Sequence, residues 1–210
     1  MAIDKQAVAN LEDFLYAHIE NPRRAASMIT NIIGVAIDLK PTALEFLYPS
    51  ELKNTDLNDF LSALEPLGIK ALFSHHETFT MGEFDWVEDI CIFKDLTLAI
   101  EQRKMGDEIN ASMDDFGQTI DQQKWESATR RTGELLGYPA TAIEYFLKDT
   151  DIDNPERMAR MNRNRYYAHS PEHEEEEFQA YDLKLNQAIE EYAPKTAAIF
   201  KEESEKRWLS

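Results

Sequence analysis

The spacing of apolar residues changes twice along this chain, and the change limits the folds that the sequence can adopt. After Asp4 and again after Pro22, apolar residues recur every three or four positions, which is typical of amphipathic helices. Between residues 42 and 94 they also form short runs, which are typical of β-strands. Beyond residue 106 only the helical spacing is found. The sequence therefore predicts a helix-rich α+β protein.

The first half of the chain predicts two helices followed by the order β-α-β-β-α. The predicted strands cover residues 42–47, 69–74 and 87–94, and Thr55 and Asp95 are suited to cap the helices that follow the first and last strands. The last strand has apolar residues on both faces, with Ile90 and Ile92 on one side and Cys91 and Phe93 on the other. We therefore expect this strand to be central and buried on both sides.

The second half of the chain predicts helices alone. A polar segment around Gly106 and Gly117 separates the halves, so we predict an α/β half over residues 1–106 and an all-helical half over residues 107–210. The two halves are also compatible with one compact body. The predicted helices of the second half cover residues 121–136, 139–148, 155–165, 171–192 and 194–208.

The charge balance disfavours whole classes of partner. The chain has 40 Asp and Glu against 22 Lys and Arg, for a net charge of -18, whereas nucleic acids and anionic membranes attract an excess of basic residues. Cys91 is the one cysteine, which excludes an internal disulfide and a cysteine-based zinc site. The sequence contains no signal peptide pattern and no apolar run of about 20 residues. We expect a soluble, cytoplasmic protein.

A basic and aromatic cluster stands out against this acidic background. Four of the ten arginines fall within nine residues, and tyrosines and histidines follow them: Arg157, Arg160, Arg163, Arg165, Tyr166, Tyr167, His169 and His173. Guanidinium groups match phosphate and carboxylate groups with paired hydrogen bonds. The cluster, with the neighbouring Tyr138, predicts a binding or interaction module for a protein or a small anionic ligand. The alternative is that the arginines pair internally with Glu172 and residues 174–177.

Two histidines and a glutamate suggest a metal-assisted enzyme as a second hypothesis. His173 and Glu177 are four residues apart on a predicted helix, and His169 lies just before it, so the three side chains are weak candidates for metal ligands. Glutamates near a helix start are also expected from the helix dipole alone. The chain contains no nucleophile motif, glycine-rich phosphate loop or other evident cofactor motif. Whether it is an enzyme therefore stays open.

Residues 132–146 have the pattern of a helix-turn-helix. A small residue at Gly133 allows two helices to cross closely, Gly137 suits a left-handed turn, and Pro139 suits the start of the next helix. That second helix presents Glu144 and only one cation, Lys148, which is a poor set for a phosphate backbone, although Arg130 and Arg131 precede it. The pattern predicts a helical corner, with a nucleic-acid-binding regulator as the third hypothesis.

The segment Leu136-Gly137-Tyr138-Pro139 resembles an uncharacterised group of prokaryotic proteins. In that group a glycine-tyrosine-proline corner joins two helices behind a small α/β half. Some members have cysteines after the proline, whereas this chain has Ala140 and Thr141, so no metal or redox role follows from the resemblance. The resemblance implies an organisation and no known activity. Self-association into a homo-oligomer is also left open by the sequence.

Overall fold

The computed structural model describes residues 3–47, 57–80, 83–114, 117–148 and 170–208 of the chain. Its elements confirm the helix-rich α+β prediction. The helices are α1 (Lys5–His18), α2 (Pro22–Ala36), α3 (Leu57–Leu64), α4 (Leu96–Asn110), α5 (Gln122–Leu135), α6 (Ala140–Lys148), α7 (Glu174–Glu177), α8 (Leu183–Tyr192) and α9 (Pro194–Trp208). The strands are β1 (Thr42–Leu47), β2 (Lys70–Thr80) and β3 (Glu83–Phe93). The predicted order β-α-β-β-α after two helices is confirmed.

Short polar side chains begin the main helices. The carboxylate of Asp4 accepts the backbone N–H of Gln6 at 2.9 Å at the start of α1. Asn21, followed by Pro22, caps α2, and Asp95 caps α4 through the N–H of Thr97 at 2.8 Å. Each cap satisfies a backbone donor that the helix itself leaves without a partner. The helix starts could therefore be located from local sequence.

The sheet has the strand order β1-β3-β2, so β3 is the central strand as predicted. β2 and β3 are antiparallel, with Lys70 opposite Phe93 and Thr80 opposite Glu83. Both strands extend further than the predicted ranges of 69–74 and 87–94, because the hairpin continues with regular pairing up to residues 80 and 83. The residues Ile90, Cys91, Ile92 and Phe93 are all buried, which confirms that both faces of this part of β3 are covered.

The chain forms two compact units whose limits differ from the predicted halves. The first unit contains residues 1–39, 43–94 and 185–210, and the second contains residues 40–42 and 95–184. Helix α4 therefore belongs with the second unit, although it precedes the predicted limit at residue 106. Helix α9 and the part of α8 from Leu185 onward belong with the first unit, where α9 contacts α2.

Each unit has its own apolar core. In the first unit, α1, α2 and β3 contribute residues to the core. Leu11, Ile29 and Ile90, one from each element, are completely inaccessible to solvent. In the second unit, α4 and α5 bury Met105, Ala128 and Leu135 against each other. Among the described ranges, no helix is long and apolar enough to cross a membrane.

Candidate functional site

The corner between α5 and α6 has the close helix crossing that its glycines predict. A Cβ placed on Gly133 would lie 2.8 Å from Cγ1 of Ile143 on α6, closer than real carbon atoms approach. Gly137 has a φ of 79°, in the left-handed region, where it ends α5. Helix α6 begins at Ala140, so Pro139 immediately precedes it. The predicted helical corner is confirmed.

The two arginines of this corner are bound to carboxylates of the chain itself. Arg130 forms an ion pair with Glu144 of α6. Arg131 donates to both oxygens of Glu101 on α4, at 2.8 and 2.9 Å, and to Glu134 at 2.7 Å. Hydrogen bonding to Arg131 lowers the pKa of Glu101, and the same bonds raise the pKa of Arg131. Arg130 and Arg131 therefore link α4, α5 and α6 through ion pairs. This pairing gives no support to a helix that contacts phosphate groups.

Glu177, one of the weak candidates for a metal ligand, is a buried hydrogen-bond acceptor. Its side chain is 3% exposed. One carboxylate oxygen accepts the backbone N–H of Ser170 at 2.8 Å, and the other accepts the hydroxyl of Thr141 on α6. These bonds bring the start of α6, the residue Ser170 and the end of α7 together within the second unit.

His173 lies just before α7 and not in its first turn. The prediction that the helix includes His173 was wrong, because residues 170–173 form a turn in which the N–H of His173 bonds to the carbonyl of Ser170 at 3.2 Å. Its Nδ1 lies 3.4 Å from the exposed carboxylate of Glu176. Across the described part of the chain, no three His, Cys, Asp or Glu side chains are grouped to hold a metal ion.

Tyr138, the aromatic residue predicted to border the binding surface, is half-buried at the α5–α6 corner. Burial of the phenol raises the pKa of Tyr138. Its hydroxyl is therefore neutral at physiological pH. Part of the side chain is buried at the corner between α5 and α6. It lies three residues before Thr141, which binds Glu177.

Most of the predicted binding residues lie outside the described residues. These are Arg157, Arg160, Arg163, Arg165, Tyr166, Tyr167 and His169. The predicted helix over residues 155–165 lies outside them as well. Of the described residues beside this region, Ser170, which follows it, and Thr141 on α6 bind the same carboxylate of Glu177.

Two participants at this site were not recognised from the sequence. They are Thr141 on α6 and Ser170 before α7. Their shared partner, Glu177, is seven residues from Ser170 and 36 residues from Thr141. No local pattern indicates a pairing over such distances. A helical turn of π type, Phe178–Asp182, follows Glu177, and Asp182 within it is also buried.

Comparison with protein-family models, with curated proteins and with solved structures finds no match to this chain. The resemblance at residues 136–139 therefore stays a prediction.

Proposed function

We propose that this protein is a binding module for phosphate or carboxylate groups, carried by a small anion or by an acidic protein. The observation that carries the proposal is the run from Arg157 to His169, which contains four arginines and no acid in a chain with a net charge of -18. Guanidinium groups hold such anions by paired hydrogen bonds, and a local basic run in an acidic chain directs an anion to one place.

Hydrogen bonds among the described residues next to the arginine run support this proposal. Glu177 joins Ser170, at the end of the basic and aromatic run, to Thr141 on α6. Tyr138 lies in the corner between α5 and α6, two residues before α6 begins. Two described neighbours of the run, α6 before it and Ser170 after it, are therefore linked through Glu177.

The other hypotheses receive less support from the geometry. Arg130 and Arg131, the cations expected to assist a nucleic-acid-binding helix, are bound to Glu144 and to Glu101 and Glu134. Glu177, a weak candidate for a metal ligand beside His173, is buried and accepts hydrogen bonds from Ser170 and Thr141. The binding hypothesis therefore remains the leading proposal.

The first experiment replaces two arginines of the run by acids, as Arg160→Glu with Arg163→Glu. Binding is measured by calorimetry with two probes, inorganic phosphate and a polyglutamate peptide, so that a small anion and an acidic protein segment are distinguished. We expect the variant to lose binding of the preferred probe by at least about tenfold, since two charge-assisted contacts are lost. The melting temperature should change little.

A charge-matched control carries Lys70→Glu with Lys184→Glu, two exposed lysines on β2 and α8. This control changes the net charge by the same amount, so it should retain probe binding if the arginine run is the site. Equal loss in both variants would show a general charge effect and contradict the proposal. A collapse of the melting temperature in the arginine variant alone would show that the arginines stabilise the fold through internal pairs.

A further inference from the structure

Helix α4 has apolar side chains on two opposite faces. On its inner face, Ala99 and Met105 are buried, and Met105 shares a core with Leu135 of α5. On its outer face, Leu96 and Ile100 lie one helical turn apart and are 50% and 58% exposed. The inner face accounts for the packing of α4 within its unit, so the outer pair adds nothing to that core.

Charged residues border the outer apolar pair in a definite order. Asp95 directly precedes Leu96, and its carboxylate caps α4 by accepting a backbone N–H of the first turn at 2.8 Å. Lys104 lies one turn beyond Ile100 on the same face, with its side chain 69% exposed and its ammonium 3.5 Å from Glu108. An exposed pair of this kind contributes little to stability, so Lys104 can exchange Glu108 for another carboxylate at little cost.

This order makes the outer face complementary to itself when the helix direction is reversed. In an antiparallel pair of α4 helices related by a two-fold axis at Ile100, position 96 of one copy lies opposite position 104 of the other. The methylene groups of Lys104 then cover Leu96 of the second copy, and the ammonium comes close to Asp95 there. A parallel pair would instead place Lys104 against Lys104, which the repulsion of like charges disfavours.

We propose that the outer face of α4, formed by Asp95, Leu96, Ile100 and Lys104, is a self-association surface that binds a second copy of this chain in antiparallel orientation. The inference is independent of the proposed anion binding. Two apolar side chains from each copy cover less than the area of about 1,200 Å² that stable interfaces bury, and the net charge of -18 on each copy opposes association. The dimer is therefore weak and reversible.

Sedimentation equilibrium of the full chain tests for this dimer. At about 0.15 M salt and protein concentrations from about 10 µM to 1 mM, the mean mass should rise from 24.3 kDa towards twice that value. Ile100→Glu places two carboxylates opposite each other at the two-fold axis, so it should weaken association at least about tenfold. A wild type that stays monomeric at the highest concentration would overturn the inference.

The matched control is Ile120→Glu, which makes the same substitution at an isoleucine that is 67% exposed and lies before α5. This control changes the net charge equally, and it should associate within about twofold of the wild type. Equal weakening by the two variants would show a general charge effect and overturn the inference.

Lys104→Glu tests the contact between charges. It removes the cation that faces Asp95 of the second copy, so association should weaken about fivefold. Lys124→Glu on α5 changes the net charge by the same amount and should have a smaller effect. The inference would be wrong if the two lysine variants weakened association equally.

Cysteine cross-linking determines the orientation of the two copies. Cys91 is buried, so introduced exposed thiols react preferentially. Ile100→Cys places its thiol near the two-fold axis and should cross-link with its own copy, whereas the control Ile120→Cys should not. Leu96→Cys should cross-link with Lys104→Cys in a mixed sample more readily than with itself, because antiparallel pairing separates the two 96 positions by about 12 Å.

The cross-linking pattern also decides the question if Ile100→Glu does not fold. Equal cross-linking of Ile100→Cys and Ile120→Cys would show random collision and overturn the inference. Preferred cross-linking of Leu96→Cys with itself would show a parallel pair, and that result would overturn the proposed arrangement as well.

Discussion

Two helical glycines, Gly133 and Gly106, differ in how much room their surroundings leave for a methyl group. Gly133 on α5 leaves a space that Ile143 of α6 fills. Gly106 on α4 has no atom within 4 Å of the position that a Cβ would take. Both are helical glycines, but only the first is required by packing between helices.

Replacing Gly133 by alanine should therefore destabilise the protein. The new Cβ would lie 2.8 Å and 2.9 Å from two carbons of Ile143, and such overpacking costs about 1–3 kcal/mol, more than the gain in helix propensity. Urea denaturation measures the free energy of unfolding. In an Ile143→Ala background the same change should cost less, because its steric partner is removed.

Gly106→Ala is the matched control, and it should stabilise the protein by about 0.5–1 kcal/mol through lower backbone entropy in the unfolded chain. The opposite signs at the two positions are the expected result. Stabilisation by both substitutions would show that α6 moves away from α5 without cost and would contradict the packing argument.

At the scale of elements, helices α4 and α5 are joined both by apolar packing and by one bidentate ion pair. Met105 and Leu135 belong to the shared core, and Arg131 of α5 binds both oxygens of Glu101 on α4. The apolar spacing predicts both helices, but it does not indicate which charged residues meet across them. That pairing depends on how the helices are rotated and offset.

The ion pair predicts a pH dependence. The pKa of Glu101 in the folded protein is below its ordinary value of 4.5. The stability that the ionised carboxylate contributes is therefore complete above pH 4.5, and it is lost as the pH falls through the lower pKa of the folded protein. The melting temperatures of the wild type and Glu101→Gln should differ at pH 7 and converge as the pH falls through the lowered pKa of Glu101. An Arg131→Met background should remove most of the difference at pH 7, because hydrogen bonding to Arg131 is the largest cause of the lowered pKa. A difference that grows on acidification would contradict the sign.

Helix α7 and the π turn after it show the limits of pattern reading at this scale. The apolar spacing predicts one helix over residues 171–192, and Leu185, Ala188 and Ile189 are buried as that spacing indicates. It does not predict that regular helix begins at Glu174 or that Phe178–Asp182 adopts a π turn. Such a turn changes the hydrogen-bond ladder by one residue and has no clear signature in a single sequence.

At the scale of the whole molecule, the first and last helices of the chain meet in one unit. The carboxylate of Glu12 on α1 accepts the N–H of Thr196 in the first turn of α9, and the hydroxyl of Tyr16 lies 2.9 Å from that of Thr196. Burial raises the pKa of Tyr16. The first unit is therefore completed only when residues 185–210 return to the N-terminal helices.

Glu12→Ala should destabilise this unit by about 1–3 kcal/mol, because it leaves a buried N–H at the start of α9 without its acceptor. The neighbouring Asp13 pairs with Lys195, but both side chains are more than half exposed, so Asp13→Ala should cost much less than Glu12→Ala. The free energy of unfolding of the two variants gives the comparison. A larger loss for Asp13→Ala would contradict the assigned role of Glu12.

Much of the local structure follows from the sequence alone. Helix starts at Asn21 and Asp95, the left-handed turn at Gly137 and the central strand around Ile90 and Ile92 all depend on residues close in sequence or on a simple repeating pattern. Backbone geometry and the need to cover apolar faces act at that range, so each feature can be derived from a few residues.

Tertiary structure decided everything that depends on which distant residues meet. Glu177 was a weak candidate for a metal ligand and accepts bonds from Thr141 and Ser170. Arg131 was considered as a cation beside a nucleic-acid-binding helix and binds Glu101. The return of α9 to α1 likewise sets the limits of the two units. The sequence determines which side chains can donate or accept hydrogen bonds. Only the packing of the helices brings a buried acceptor close to its donor. The pair then forms because a buried donor or acceptor without a partner is costly.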